Sequence, residues 1–202
     1  MAHGYWGNWG GQSSVTLTVA VDGAIDLLTG SVNVSGALTS IAMQAAEALG
    51  LPLERVRIAV GDTASVGYCD VSAGSRTTFG TGLAAIDAAR DLIERLRERA
   101  AALWGVAADQ VSYRAGVLST RRGRARRISL AELREAAGPL STTADVDADQ
   151  RGYGGTYGAH IVDVEVDPET GRVTILGYTA VQDVGRAVHP GDMGVIQGCP
   201  RS

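Results

Sequence analysis

The chain has 202 residues, 45% of them hydrophobic and 20% charged, which suits one large domain or two small ones and excludes a disordered polypeptide. Its net charge of −4, from 18 basic and 22 acidic residues, runs against the balance of a nucleic-acid binder. No run of about 18 apolar residues is present, so no membrane-spanning helix is expected.

The first elements are two strands in SSVTLTVAVDGAIDLLTGSVNVS. Val15, Leu17, Val19 and Val21 alternate with polar or small residues, and Asp22-Gly23 is a hairpin signal. Ile41, Ala45, Ala48 and Leu49 then share one helical face over Thr39 to Leu49, ended by Gly50 and Pro52. Val56 to Thr63 reads as a short strand running into a polar loop.

From about Thr78 to Trp104, Leu83, Ile86, Leu92, Ile93, Leu96, Ala100 and Leu103 mark a long amphipathic helix, with Asp91 and Arg95 at the supportive i,i+4 spacing. Strands follow at Val111 to Tyr113 and Val117 to Ser119. A short helix over Leu130 to Ala137 has a capping box at Ser129 and Glu132. Gly138 to Gly155 is polar and small and reads as loop.

Near the end, Ile161, Val162, Val164 and Val166 lead into Asp167-Pro168-Glu169-Thr170-Gly171, and Val173, Ile175 and Leu176 lead out, a hairpin. Strands and helices alternate without a regular βαβ rhythm, so the expected class is α+β, with mixed sheets and packed helices. The expected division is a sheet-helix portion at 14–120, a basic hairpin, short helix and loop at 121–155, and a final hairpin and loop at 156–202.

Three small-residue turns are candidate sites. Ala73-Gly74-Ser75-Arg76-Thr77-Thr78 offers amides, hydroxyls and a guanidinium at a helix start, where anions bind. The alternative is that Ser75, Thr77 or Thr78 only caps the helix, the commoner role of such residues. Gly30-Ser31-Val32-Asn33-Val34-Ser35-Gly36 joins a strand to a helix and lets backbone approach a ligand. Gln182 to Pro190 ends the last strand, and its Asp183 and Arg186 are placed to pair at the surface.

Other constellations carry less. Neither GxxxxGK[ST] nor GxGxxG is present. Cys69 and Cys199 lack metal-ligand spacing, which suggests a reducing, cytoplasmic setting rather than a zinc site or disulfide scaffold. Ser75 lacks a nucleophile elbow, and Cys69 with His160 or His189 forms no recognisable pair. RRGRARR, Arg121 to Arg127, reads as a solvated hairpin tip, because no aromatic is interleaved. The residues alone therefore single out no catalytic group and no metal ligand.

The order of the three turns resembles the second molybdopterin-binding domain of the large subunit of the xanthine dehydrogenase and aldehyde oxidase family, the molybdenum hydroxylases. Gly30 to Thr63, Ala73 to Ala85, His160 to Pro190 and GVIQG (Gly194 to Gly198) carry the match. The resemblance implies a molybdenum ion held by a pyranopterin, often extended by a cytosine dinucleotide, with no iron–sulfur cluster or flavin in this chain. It implies that Gly74, Ser75 and Thr77 meet the pterin or its phosphate, with Arg76 a weaker candidate. Ser35 and Gly36 would face the cofactor from the other turn, and Gln197 would lie near the metal end. The implied partners are the remaining large-subunit domains and iron–sulfur and flavin subunits or domains.

The intact family enzyme oxidatively hydroxylates aldehydes or N-heterocycles using water. The chain departs from the pattern at Ser35 and Met43, where relatives often have glutamine, and at Val195, where a GQ pair is common. The family's glutamate base lies in a GVGE-like motif that these residues do not contain, so the chain reads as a fragment not expected to turn over alone. The alternative is a non-catalytic α+β binding or interaction domain that has lost the cofactor.

Overall fold

The computed structural model describes residues 1–120, 125–151 and 154–188. In chain order its strands and helices are β1 (Ala2–Gly7), β2 (Gln12–Val19), β3 (Ile25–Thr29), α1 (Ala37–Leu49), β4 (Val56–Val60), α2 (Gly82–Trp104), β5 (Val111–Arg114) and β6 (Val117–Thr120). They continue with β7 (Arg127–Ser129), α3 (Leu130–Ala137), β8 (Ser141–Asp147), β9 (Gly155–Val166) and β10 (Val173–Asp183). The class is α+β, as the irregular order of elements implies.

The central sheet runs β4-β3-β2-β8. Its β2–β3 hairpin closes around Asp22-Gly23, and the Ala24 amide donates to the Asp22 carboxylate at 3.0 Å. β3 and β4 are parallel, with α1 carrying the chain between them. Val15, Leu17 and Val19 are fully or almost fully buried, whereas Val21 lies in the turn and is 75% exposed. The alternating pattern therefore ends two residues earlier than the sequence suggests, because the chain turns before Val21 can enter the core.

α1 and α2 pack together over this sheet. On α2 the fully buried positions are mostly alanines, Ala84, Ala85, Ala88 and Ala89, followed by Leu92, Leu96 and Ala100. Leu83, Ile86 and Ile93 are only partly buried, and Leu103 is exposed. The sequence reading weighted large side chains, but close approach of helix and sheet selects small ones at the contact. Asp91 and Arg95 pair at 2.8 Å, and α3 has its capping box, with the Ser129 amide donating to Glu132 at 2.8 Å.

The segment expected as loop after Gly138 is instead β8, the outer strand against β2, pairing Ser14 with Asp145 and Leu17 with Thr142. Thr142 and Val146 are buried and Ala144 is half-buried, a period of two hidden by the small and polar residues between them. β5-β6-β7 form a small separate sheet, and β1-β9-β10 form another. β1 had no counterpart in the sequence reading; it pairs antiparallel along the first half of β9, Ala2 opposite His160. Much of the apolar surface of this last sheet is exposed, including Ile161, Val164, Val166, Val173, Ile175 and Tyr178.

Candidate functional site

Two loops of similar design enter the helical layer. Gly30 to Gly36 leaves β3 for α1, and its last two residues, Ser35 and Gly36, have φ of 49° and 76°. Ser72 to Thr78 leads into a single π turn, Thr77–Thr81, and then α2; its Gly74 and Ser75 have φ of 58° and 59°. A serine in the left-handed region costs on the order of 1 kcal/mol and is retained only where its surroundings hold it. Here the Trp9 amide donates to the Gly74 carbonyl at 2.8 Å, and the Gly80 amide to the Arg76 carbonyl at 2.7 Å.

Each loop leaves the two amides at its tip unspent on the protein, although Ser31, Ala73 and Arg76 bond theirs within it. Among the described residues the N–H groups of Ser35, Gly36, Gly74 and Ser75 have no acceptor, nor has the Ser75 hydroxyl a partner. No N-cap residue of α1, the π turn or α2 caps with its own side chain, and none of the three has an acidic residue in its first turn, although Asn33 Oδ1 accepts from the Leu38 amide of α1 at 3.4 Å. The contrast is α3, on which the same chain places a complete capping box. The Thr77 hydroxyl donates to Ser72 at 2.7 Å and stays inside the loop. Capping, the alternative reading of Ser75, Thr77 and Thr78, is thus not what these residues do, and the positive helix ends remain open.

The loops border a cleft of about 720 Å³ lined by Gly74 to Phe79, by Val34 and Ala37 on either side of Ser35-Gly36, and by Asn8, Thr156 and Gln182 of the exposed sheet region. No carboxylate lines it among the described residues. The cationic side chain at its rim is Arg186, 3.2 Å from Glu47. The expected surface pair of Asp183 and Arg186 is therefore not formed. Asp183 accepts instead from the Gly185 amide at 2.9 Å, because the turn there folds back on itself. Gln44 of α1 also lines the cleft and donates to the Thr78 carbonyl at 3.1 Å.

Arg76 points the other way. It is 1% exposed, its Nε donates to the Gly10 carbonyl at 2.6 Å, and Nη1 donates to the Asp70 carbonyl at 2.9 Å. Nη2 donates to the Gln12 carbonyl at 2.6 Å and to the Ser13 hydroxyl at 2.7 Å. The guanidinium is spent beneath the loop instead of being offered to a ligand, because the residues entering β2 and the segment at Asp70 converge carbonyls that a planar fork of donors satisfies. The Asp70 carboxylate accepts from the Gln12 amide at 2.6 Å and the Tyr68 hydroxyl at 2.7 Å, which, with Arg76 nearby, holds it below the usual carboxylate range.

The structure thus brings Gly74, Ser75 and Thr77 to one cleft wall and sets Ser35 and Gly36 between two lining residues of the other. Gln197, Val195, Cys199 and His189 lie outside the described residues. Asn8, Thr156 and Gln44 were missed from sequence, the first two because the pairing of β1 with β9 was not visible. Gln44 left a signal, a polar residue one turn after Ser40 among the alanines of α1. The arrangement can bind an anion and orient it. Among the described residues no cluster of three or more His, Cys, Asp or Glu is placed to hold a metal ion.

The sequence model of the molybdopterin cofactor-binding domain family matches residues 1–198. The chain is 30% identical over 178 residues to the 6-hydroxypseudooxynicotine dehydrogenase complex subunit gamma of Paenarthrobacter nicotinovorans, covering 83% of this chain and 22% of that protein. It is 28% identical over 196 residues to the aldehyde oxidoreductase molybdenum-binding subunit PaoC of Escherichia coli K12, covering 94% and 25%. Reconstituted CO dehydrogenase from Oligotropha carboxidovorans superposes with a TM-score of 0.76 at 20% identity, over 96% of this chain and 27% of that one, a likeness of fold. The chain spans about a quarter of the length of the curated relatives it matches. With two uncapped helix starts on a carboxylate-free cleft and this match along nearly its whole length, the chain belongs to the molybdopterin cofactor-binding domain family of the molybdenum hydroxylases.

Proposed function

We propose that the cleft between the two loops holds the pyranopterin and phosphate of a molybdenum cofactor, extended by a cytosine dinucleotide or not. The observation that carries this reading is the set of unspent amides at Ser35, Gly36, Gly74 and Ser75 beside uncapped helix starts. The fit is one of donor chemistry: a phosphate or pterin presents several acceptors, and the loops present donors with no competing carboxylate. The Ser75 hydroxyl adds one further donor, that of Thr77 being given to Ser72, and Gln197 is assigned to the metal end by resemblance alone.

When bound, the cofactor supplies two-electron oxidation of a substrate carbon with water as the oxygen source. This chain's own residues bind and orient it. The intact polypeptide is proposed to hydroxylate an aldehyde or an N-heterocycle in the cytoplasm, with its general-base glutamate supplied outside these residues. Electrons pass to iron–sulfur and flavin partners. The rest of the large subunit is proposed to cover the exposed β1-β9-β10 sheet, whose apolar side chains are otherwise left in water.

The test is molybdenum and pterin content of the longer polypeptide purified with its partners. About one equivalent per chain is expected, and Ser75→Asp, which puts a carboxylate among the donors, is expected to lower it at least about tenfold. A cofactor-free complex would sink the reading and favour a binding domain that has lost its ligand.

A further inference from the structure

Four of the buried polar side chains in this fold form a line. Arg76, Ser13, Thr81 and Ser31 are 1%, 1%, 0% and 3% exposed. Arg76 Nη2 donates to Ser13 Oγ at 2.7 Å, Ser13 Oγ lies 3.2 Å from Thr81 Oγ1, and Thr81 Oγ1 lies 2.7 Å from Ser31 Oγ. A guanidinium can only donate, so Ser13 accepts from it and has its own proton for Thr81, which in turn has one for Ser31.

The line has a functional address at each end. Arg76 belongs to the loop that carries Gly74, Ser75 and Thr77. Ser31 belongs to the loop that carries Ser35 and Gly36, and its amide donates to Thr29 Oγ1 at 3.3 Å. Between them stand the first residues of β2 and the last residue of the π turn. Gly80 belongs to the same packing, since a β-carbon there would lie 3.1 Å from Arg76 Nη2.

We propose that Arg76 and Thr81 are positioning residues, and that the chain Arg76–Ser13–Thr81–Ser31 holds the two cleft loops at one fixed spacing. The ligand they serve is taken from the function proposed above, whereas the coupling itself rests on the hydrogen bonds alone. Arg76 forms no direct ion pair among the described residues, so its charge is balanced by carbonyl and hydroxyl dipoles and, at longer range, by the Asp70 carboxylate. Three of its acceptors are backbone carbonyls at Gly10, Gln12 and Asp70, set in different directions. A lysine ammonium, a single point with three donors, cannot meet them all. In so dry a site, losing one link leaves its neighbours unsatisfied and loosens both loops.

The experiment uses the full-length polypeptide in wild-type, Thr81→Val, Arg76→Lys and doubly substituted forms, with Ser31→Ala in reserve should Arg76→Lys not fold. Amide hydrogen exchange is followed in the cofactor-free protein at the bonded amides of Ser31 and Ala37 in one loop, of Ala73, Arg76 and Gly80 in the other, and over residues 93–104, and molybdenum content is measured after loading. Each single substitution is expected to speed exchange at both loops by at least about tenfold while residues 93–104 stay protected. The double variant is expected to do no more than the stronger single one, and loading falls in all three.

Acceleration confined to one loop, additive effects in the double variant, or equal acceleration throughout the chain would overturn the proposal. Wild-type exchange in Arg76→Lys would overturn the role of the guanidinium fork. A wild-type protein that takes up no molybdenum refutes the cofactor reading, and the exchange data still decide the coupling.

Discussion

Gln44 reaches from α1 to the Thr78 carbonyl, 3.1 Å away, across a gap that Gly82 leaves open; a β-carbon at residue 82 would stand 2.2 Å from Gln44 Oε1. The atom it meets is the end of a flexible side chain, so Gly82→Ala would turn Gln44 aside and break the tie between helix and loop. The helix-propensity gain of about 1 kcal/mol from alanine then offsets a hydrogen bond of similar worth. Near-zero change in unfolding free energy is expected for Gly82→Ala alone, and stabilisation by up to about 1 kcal/mol in a Gln44→Ala background. Chemical denaturation of the four proteins checks this, and equal effects in both backgrounds would contradict it.

Leu92 is fully buried under the central sheet, while Arg95, one turn away, pairs with Asp91 at the surface. Leu92→Ala should cost about 2–5 kcal/mol through lost transfer energy and the cavity left behind. Arg95→Ala should cost under about 0.5 kcal/mol, the usual worth of an exposed i,i+4 pair. Urea unfolding midpoints rank the two, and a reversed order would mean the core lies elsewhere.

Gly74 takes a positive φ of 58°, and a β-carbon there would lie 2.8 Å from Trp9 Cβ and 3.1 Å from its ring. Strain and displacement act together, so Gly74→Ala should destabilise by about 1–3 kcal/mol. Ser75→Gly, at φ 59° with no crowding to relieve, should be neutral or stabilise slightly. Thermal melts of both variants distinguish a seated loop from a loose one, for which neither would matter.

Glu132 accepts from the Ser129 amide and hydroxyl, and these bonds hold its carboxyl below its ordinary range. Because the folded value is depressed, the charged form contributes stability above the ordinary carboxylate range and loses it as pH falls through the lowered value. Wild type should therefore exceed Glu132→Gln in stability at pH 7, with the gap narrowing as pH falls below the ordinary carboxylate range. Ser129→Ala should cost about 1 kcal/mol at neutral pH, as lost N-caps do. A gap that widens on acidification would contradict the assignment.

Much of the local structure was legible because local rules decide it. The Asp22-Gly23 and Asp167–Gly171 turns, the start of α3 at Ser129 and the end of α1 at Gly50 all follow from residues within a few positions of one another. β8 was hidden because its inward residues, Thr142 and Ala144, are small or polar, and its partner β2 lies some 120 positions away in sequence. A strand of that composition is defined by the sheet edge it completes, which no local pattern reports.

The same division holds at the site. Sequence by itself determined the α+β class, the small-residue loops and, through the order of three such turns and the stretches around them, the resemblance to the family. Residue types, however, could not say whether Ser75 and Thr77 cap a helix or face a ligand, nor which way Arg76 points. Only the tertiary structure decided that neither caps a helix and that Arg76 points inward, because this depends on whether the chain entering β2, with Asp70, arrives beneath the loop. It does, drawing the guanidinium of Arg76 inward onto three carbonyls and a hydroxyl and leaving the amides of Gly74 and Ser75 without partners among the described residues. A long-range contact thus sets the direction of a side chain whose neighbours in sequence leave it free.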